Sequence, residues 1–170
     1  GRDGAEIYVY PEALVGESFG DSVVGLEDID HDGIGDFLIG GWSVDGDHAR
    51  SGVAYVFSGG TGSLIRTHSG TAVNAAFGNA LVSLAAGAGF PAGGFYAIGE
   101  SGTQTVHVFA GYSGALVYTL SAGGPFSSFG HRVVNAGDYN QDGFDDLMVS
   151  FNDALLHLQV FAGGSFMSRH

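Results

Sequence analysis

Two acidic loops, 110 residues apart, carry the residue types best suited to chemistry in this chain. The first reads Asp28-Ile29-Asp30-His31-Asp32-Gly33-Ile34-Gly35-Asp36, and the second Asp138-Tyr139-Asn140-Gln141-Asp142-Gly143-Phe144-Asp145-Asp146. Both fit D-x-[DN]-x-D-G-x-x-D. Hard oxygen ligands on alternating residues, bent by a glycine, are how a short loop wraps Ca²⁺. The expected ligands are Asp28, Asp30, Asp32, Ile34 and Asp36 at one site, and Asp138, Asn140, Asp142, Phe144 and Asp146 at the other. Ile34 and Phe144 hold the seventh position, where such loops offer a backbone carbonyl. Without a cation, the four carboxylates of the first loop would repel one another strongly.

The flanking residues decide what kind of calcium loop this is. An EF-hand needs a bidentate acid at position 12 and a helix on each side. Here position 12 is Ile39 or Val149, inside the apolar runs Phe37-Leu38-Ile39 and Leu147-Met148-Val149. Those runs read as β-strands. The loops are therefore expected between strands, with Ca²⁺ in two sites.

Those strands belong to a repeat of about 52 residues. Phe-Gly recurs at Phe19-Gly20, Phe77-Gly78 and Phe129-Gly130, and a β-type segment ends in an aromatic at Tyr10, Phe57, Phe109 and Phe161. A glycine turn and a further short strand follow, as in 58–64 and 110–116. Each period then holds four strands: one after Phe-Gly, one after the acidic loop, one ending in the aromatic, and an outer one at 63–67, 115–120 and 165–168. Four antiparallel strands per repeat of this length are the pattern of a β-propeller blade.

The combination of Phe-Gly, D-x-D-x-D-G-x-x-D, an apolar strand and Gly-x-Val-Tyr-Val-Phe resembles the FG-GAP repeats of integrin α-subunit propellers and of bacterial secreted proteins. The resemblance covers nearly the whole chain and is most specific in the first and third repeats. The second departs from it: Leu84 to Gly94 contains no carboxylate and is expected to bind no metal. The resemblance implies an all-β fold of propeller blades, with a half-blade at 1–18 and blades at 19–70, 77–122 and 129–170. A closed propeller of that family usually has seven blades, so this chain is expected to be part of a larger or multi-chain propeller. Chain direction places the acidic loops at one end of each blade and the 2–3 and 4–1 loops at the other. Integrin-like propellers bind partners on the metal-free end, which makes the Ca²⁺ structural.

Composition narrows the partners. Thirty-one glycines and only three prolines in 170 residues suit many tight turns between short strands. The formal charge of −13 argues against nucleic acid and anionic membranes, even after two Ca²⁺ bring it to about −9. Zero cysteines exclude disulfides, thiol catalysis and Cys-type zinc sites. The stretch from Ser69 to Gly99 is free of Asp, Glu, Lys and Arg, but its glycines and Pro91 break any spanning helix, so no membrane insertion is expected. Filling calcium loops favours an extracellular or cell-surface setting, where Ca²⁺ is millimolar.

Other motifs look chemical without the context they need. Gly16-Glu17-Ser18-Phe19-Gly20 matches G-x-S-x-G, yet no helix pattern follows and Ala76 stands in the place of Ser18 in the next repeat. Gly87-Ala88-Gly89-Phe90-Pro91-Ala92 mimics a dinucleotide fingerprint but leads into a strand. The seven histidines show no metal spacing. Asp45, Asp47, His48 and Arg50 form a polar cluster open to a ligand, and Trp42 and Tyr112 are candidates for stacking on sugars. The expected function is a non-catalytic, Ca²⁺-stabilised module for protein interaction, adhesion or assembly. Its partner would be a protein or glycan on the end opposite the acidic loops, with self-association able to complete the array. A lectin-like propeller and an accessory domain of a larger secreted enzyme are the alternatives.

Overall fold

A computed structural model describes residues 6–10, 18–85, 93–122, 128–150 and 158–167. Among the described residues the fold is all-β, in three antiparallel sheets of four, four and three strands that do not close into a ring. The first sheet runs β1 (Ser22–Gly25), β2 (Phe37–Gly41), β3 (Val53–Phe57) and β4 (Leu64–Ser69), in that order. The second repeats the meander with β5 (Phe77–Leu84), β6 (Phe95–Glu100), β7 (Thr105–Ala110) and β8 (Leu116–Ser121). The third has β9 (Arg132–Asn135), β10 (Leu147–Ser150) and β11 (Leu158–Phe161). Of the fourth strand expected at 165–168, residues 165–167 lie in a single helical turn, α1 (Gly164–Met167), and residue 168 lies outside the described residues.

The three Phe-Gly pairs mark the same turn. Ser18, Ala76 and Ser128 all take φ between 55° and 68°, and the following glycines lie between 78° and 89°. In each turn an N–H bonds back to that first residue: Asp21 to Ser18, Asn79 to Ala76, His131 to Ser128. A strand follows at Phe19-Gly20 and Phe129-Gly130, and in the second sheet β5 already includes Phe77-Gly78, with its register shifting between Phe77 and Leu81. The turn therefore depends on backbone, and Ser18 is interchangeable with alanine within the chain.

The sheets stack through two cores. Leu38, Ala54 and Val56 of the first sheet meet Phe77, Tyr96, Ile98 and Phe109 of the second. The other face of the second sheet, with Val82, Ala97, Val106 and Val108, meets Phe129, Val133, Leu147 and Val149 of the third. Strands with both faces covered read as continuous apolar runs, which is why β6 and β7 alternate so little. Two glycines set the approach: a Cβ on Gly40 would lie 2.1 Å from the carbonyl oxygen of Gly78, and one on Gly99 equally close to that of Gly130. The backbone of each following sheet fits only where no side chain stands.

Residues 6–10 form no strand. The sequence matches Tyr10 to Phe57 as the end of a third strand, but its contacts match those of β4. Tyr10 packs on Phe57 (centroids 4.5 Å apart) and Phe37, as His68 packs on Phe109 (4.1 Å) and Tyr96. Tyr8 lies against Gly62 and hydrogen-bonds Gly60, as Arg66 lies against Gly114 and hydrogen-bonds Gly111 and Tyr112. Both pairs are separated by 58 residues, the interval between Phe19 and Phe77. Glu6–Tyr10 thus sits against the first sheet as β4 sits against the second.

Candidate metal loops

Each acidic loop is folded by its own carboxylates. In the first, the Asp32 N–H donates to Asp28 Oδ1 and Asp30 Oδ1 (both 3.1 Å), Gly33 N–H to Asp28 Oδ2 (2.9 Å) and Ile34 N–H to Asp32 Oδ1 (2.8 Å). The second repeats every one of these bonds: Asp142 N–H to Asp138 and Asn140, Gly143 N–H to Asp138, and Phe144 N–H to Asp142. The fourth and sixth positions take left-handed backbone in both, at His31 and Gln141 (φ 64° and 61°) and at Gly33 and Gly143 (φ 89° and 90°). Nothing lies within 4 Å of a Cβ built on either glycine, so conformation and not space dictates them.

The ninth-position acid has a second task. Asp36, almost fully buried, accepts from Ile29 N–H (2.8 Å) and from Gly59 N–H (2.9 Å) in the turn between β3 and β4. Asp146 does the same with Tyr139 N–H (3.0 Å) and with Gly163 N–H (2.9 Å) after β11. In the second sheet the matching turn N–H, of Gly111, goes to the backbone carbonyl of Gly94 (2.9 Å). A carbonyl thereby fills in where the repeat has lost its carboxylate. Residues 86–92 of that loop lie outside the described residues.

Asp28, Asp30 and Asp36 each bring one carboxylate oxygen within 4.8 Å of the others. Three hard, anionic oxygens at that separation, each with lone pairs to spare, fit a divalent cation that prefers oxygen. Asp32 is turned aside: its Oδ2 lies 3.3 Å from the Ser58 hydroxyl. In the second loop the Asn140 amide nitrogen bridges Asp142 Oδ2 (3.0 Å) and Asp146 Oδ1 (3.4 Å). An N–H donor there does what a cation would do, drawing two carboxylates together. Asp145, not singled out from the sequence, ties the third sheet to the second by accepting from Ala85 N–H (2.8 Å).

The remaining candidates separate to two ends. His31 stacks on Tyr112 (5.0 Å), joining the first acidic loop to the β7–β8 turn of the next sheet. Trp42 donates to Asp21 at 2.7 Å, and the Arg50 N–H to Asp45 Oδ1 at 2.7 Å, both at the opposite end. Trp42 and Tyr112 therefore make no shared platform. Ser18 Oγ receives the Ser43 N–H (2.9 Å) and lies 2.8 Å from the Ser43 hydroxyl.

One cluster escaped sequence reasoning. Glu100, fully buried at the end of β6, accepts from Thr71 N–H (2.6 Å), from the hydroxyls of Thr71, Thr103 (2.8 Å) and Thr105 (3.0 Å), and lies 2.8 Å from His107 Nε2. Burial alone would raise its pKa, but the bonds from His107, Thr71 and Thr103 outweigh that and hold it at about 2. The available signal was a lone acid closing a long stretch without charged residues. No helix among the described residues is long and apolar enough to cross a membrane. No protein-family model matches the chain, and no curated protein matches it.

Proposed function

We propose that the chain is a segment of an FG-GAP-type β-propeller, its three sheets serving as blades, and that it works outside the cell as a non-catalytic module for protein interaction, adhesion or assembly. The acidic loops bind Ca²⁺ as scaffold. Asp28, Asp30 and Asp36 would hold the ion in the first loop, joined by Asp32 and the Ile34 carbonyl, with Asp138, Asn140, Asp142, Phe144 and Asp146 the corresponding set in the second. Bound Ca²⁺ would supply positive charge to a cluster of acids and so hold the loop shut. The single observation that carries this reading is the recurrence of one complete hydrogen-bonding scheme in two loops 110 residues apart, with three oxygens converging in the first.

The non-catalytic part rests on Ser18. Its turn is reproduced by Ala76, and its hydroxyl is engaged with Ser43. Partner binding is assigned to the end opposite the acidic loops, where Trp42, Asp45 and Arg50 lie. Calorimetric titration tests the metal: one or two Ca²⁺ should bind with a rise in melting temperature. No heat of binding, together with an identical melt in EDTA, would remove the calcium reading.

A further inference from the structure

Ile29 and Tyr139 hold the same second position in the two acidic loops, in opposite surroundings. Ile29 is 1% exposed and belongs to the core between the first sheet and the second, whereas Tyr139 is 76% exposed. The first loop thus rests on the neighbouring sheet. A Cβ on Gly93, two residues before β6, would lie 3.4 Å from Ile29 Cγ2. The Gly93 N–H also donates to Glu27 Oε2 at 3.2 Å, and Glu27 immediately precedes Asp28.

A ring contact follows two residues further on. His31, at the fourth position, takes left-handed backbone with φ 64°. For a residue with a Cβ that conformation costs energy and persists only where the surroundings hold it. Tyr112, in the β7–β8 turn, supplies part of that hold: its ring stacks on the His31 ring, with centroids 5.0 Å apart and planes 27° from parallel. Tyr112 is itself fixed from the first sheet. Arg66 on β4 donates from Nη1 to the Gly111 carbonyl (3.0 Å) and from Nη2 to the Tyr112 carbonyl (2.8 Å). Gln141, which stands in the place of His31 in the second loop, has no ring to stack.

We propose that Tyr112, a residue of the second sheet, is a positioning residue for Ca²⁺ in the loop of the first, acting through the stacked ring of His31. The proposal rests on the calcium reading of that loop. Both contacts with the second sheet fall between the expected ligands. Ile29 stands between Asp28 and Asp30, and its N–H donates to Asp36 Oδ2 at 2.8 Å. His31 stands between Asp30 and Asp32. Holding Ile29 and His31 in place therefore sets the spacing of the Asp28, Asp30 and Asp36 oxygens, which converge within 4.8 Å of one another.

The consequence is a metal site that depends on two sheets. A loop already held in its binding shape loses less freedom when the cation arrives, so affinity rises without a new ligand. Coupling of this kind is reciprocal: whatever the second sheet adds to Ca²⁺ affinity, Ca²⁺ adds to the docking of the second sheet. The Gly93 N–H reports that docking, because its acceptor Glu27 belongs to the first sheet's loop.

The test uses the whole chain carrying Asp142→Ala, which disables the second loop and leaves calorimetry with CaCl₂ reading the first. Adding Tyr112→Ala, at a site 60% exposed, should raise the dissociation constant about three- to tenfold, the worth of one stacked ring pair. Tyr112→Phe keeps the ring and should restore the constant to within about twofold. His31→Gln, a side chain the second loop already carries at φ 61°, should cause the same loss, and combining it with Tyr112→Ala should add nothing. Tyr139→Ala, on the third sheet's loop, should leave the constant unchanged. Hydrogen exchange at the Gly93 N–H should slow when Ca²⁺ saturates the parent, and slow less with Tyr112→Ala. Affinity indifferent to Tyr112→Ala and His31→Gln, an equal loss with Tyr139→Ala, no rescue by phenylalanine, or Gly93 exchange indifferent to Ca²⁺ would each overturn the proposal while the calcium reading stands. An Asp142→Ala parent that takes up no Ca²⁺ would remove the calcium reading and this proposal with it.

Discussion

Glu100 and His107 meet across the β6–β7 hairpin, Oε2 to Nε2 at 2.8 Å, with the carboxylate fully buried. Through Thr71 the same carboxylate grips the link between β4 and β5, and so binds the first sheet to the second. Every donor around it would be stranded if the acceptor were lost. Glu100→Gln should cost about 2–3 kcal/mol of unfolding free energy in urea at neutral pH. The folded carboxyl stands at about 2, below its ordinary 4.5. Its contribution is therefore complete above pH 4.5 and is lost as pH falls toward 2. The stability gap between wild type and Glu100→Gln should close across that window. A gap that stays constant from pH 6 to 2.5 would show that the charge is not what matters.

His68 titrates on the other side. Burial, with the Arg66 guanidinium beside it, lowers its pKa from 6.5 to about 4, and its Nε2 lies 2.7 Å from Tyr96 Oη. The folded state holds the neutral ring, so stability is complete above pH 6.5 and declines as pH falls toward 4. Burial likewise pushes the Tyr96 hydroxyl up to about 12, keeping it protonated at neutral pH. His68→Gln should flatten the dependence of melting temperature on pH between 6.5 and 4, leaving the fall below 4.5 that belongs to Glu100.

The acids of the first loop should divide into two kinds. Asp30 is exposed and accepts a single bond within its loop, whereas Asp36 is buried and holds the Gly59 turn. Asp30→Ala should abolish the Ca²⁺-dependent rise in melting temperature and change the melt in EDTA little. Asp36→Asn should lower the melt in EDTA as well, by about 1–3 kcal/mol, because one buried N–H then faces an amide donor. Equal effects of both variants in EDTA would contradict the division.

Close backbone approach makes a further contrast among glycines. A Cβ at Gly40 would meet the Gly78 carbonyl at 2.1 Å, while one at Gly25 would meet nothing within 4 Å. Gly40→Ala should destabilise by about 2–3 kcal/mol or more. Gly25→Ala should be neutral or slightly stabilising, since alanine restricts the unfolded chain. Parallel chemical denaturation of the two variants checks the pair.

Much of this architecture was legible because it repeats. Phe-Gly pairs, acidic loops and aromatic-ended segments lie at near-constant intervals, and the local φ pattern of each turn is written in its residues: glycine at 33 and 143, short or polar residues before Phe19 and Phe129. The alignment failed where the signal was only composition. Tyr8 and Tyr10 read as the aromatic end of a third strand, but their contacts with Gly60, Gly62 and Phe57 are those that β4 makes with the second sheet, a match that depends on packing between segments about 50 residues apart. The helical turn at Gly164–Met167 could not be foreseen either, because a short apolar segment takes the form its neighbours impose.

The sequence by itself determined the strands, the turns and which oxygens lie in each acidic loop, since all of these follow from contacts within a few residues. Only the tertiary structure decided what those oxygens do. Asp28, Asp30 and Asp36 converge while Asp32 turns to Ser58, and Asp36 bonds a turn 23 residues away. Glu100 and Thr71, 29 residues apart, meet because two sheets pack face to face. Spacing fixes local geometry, but the partner of a buried polar group is chosen by which surfaces the fold removes from water.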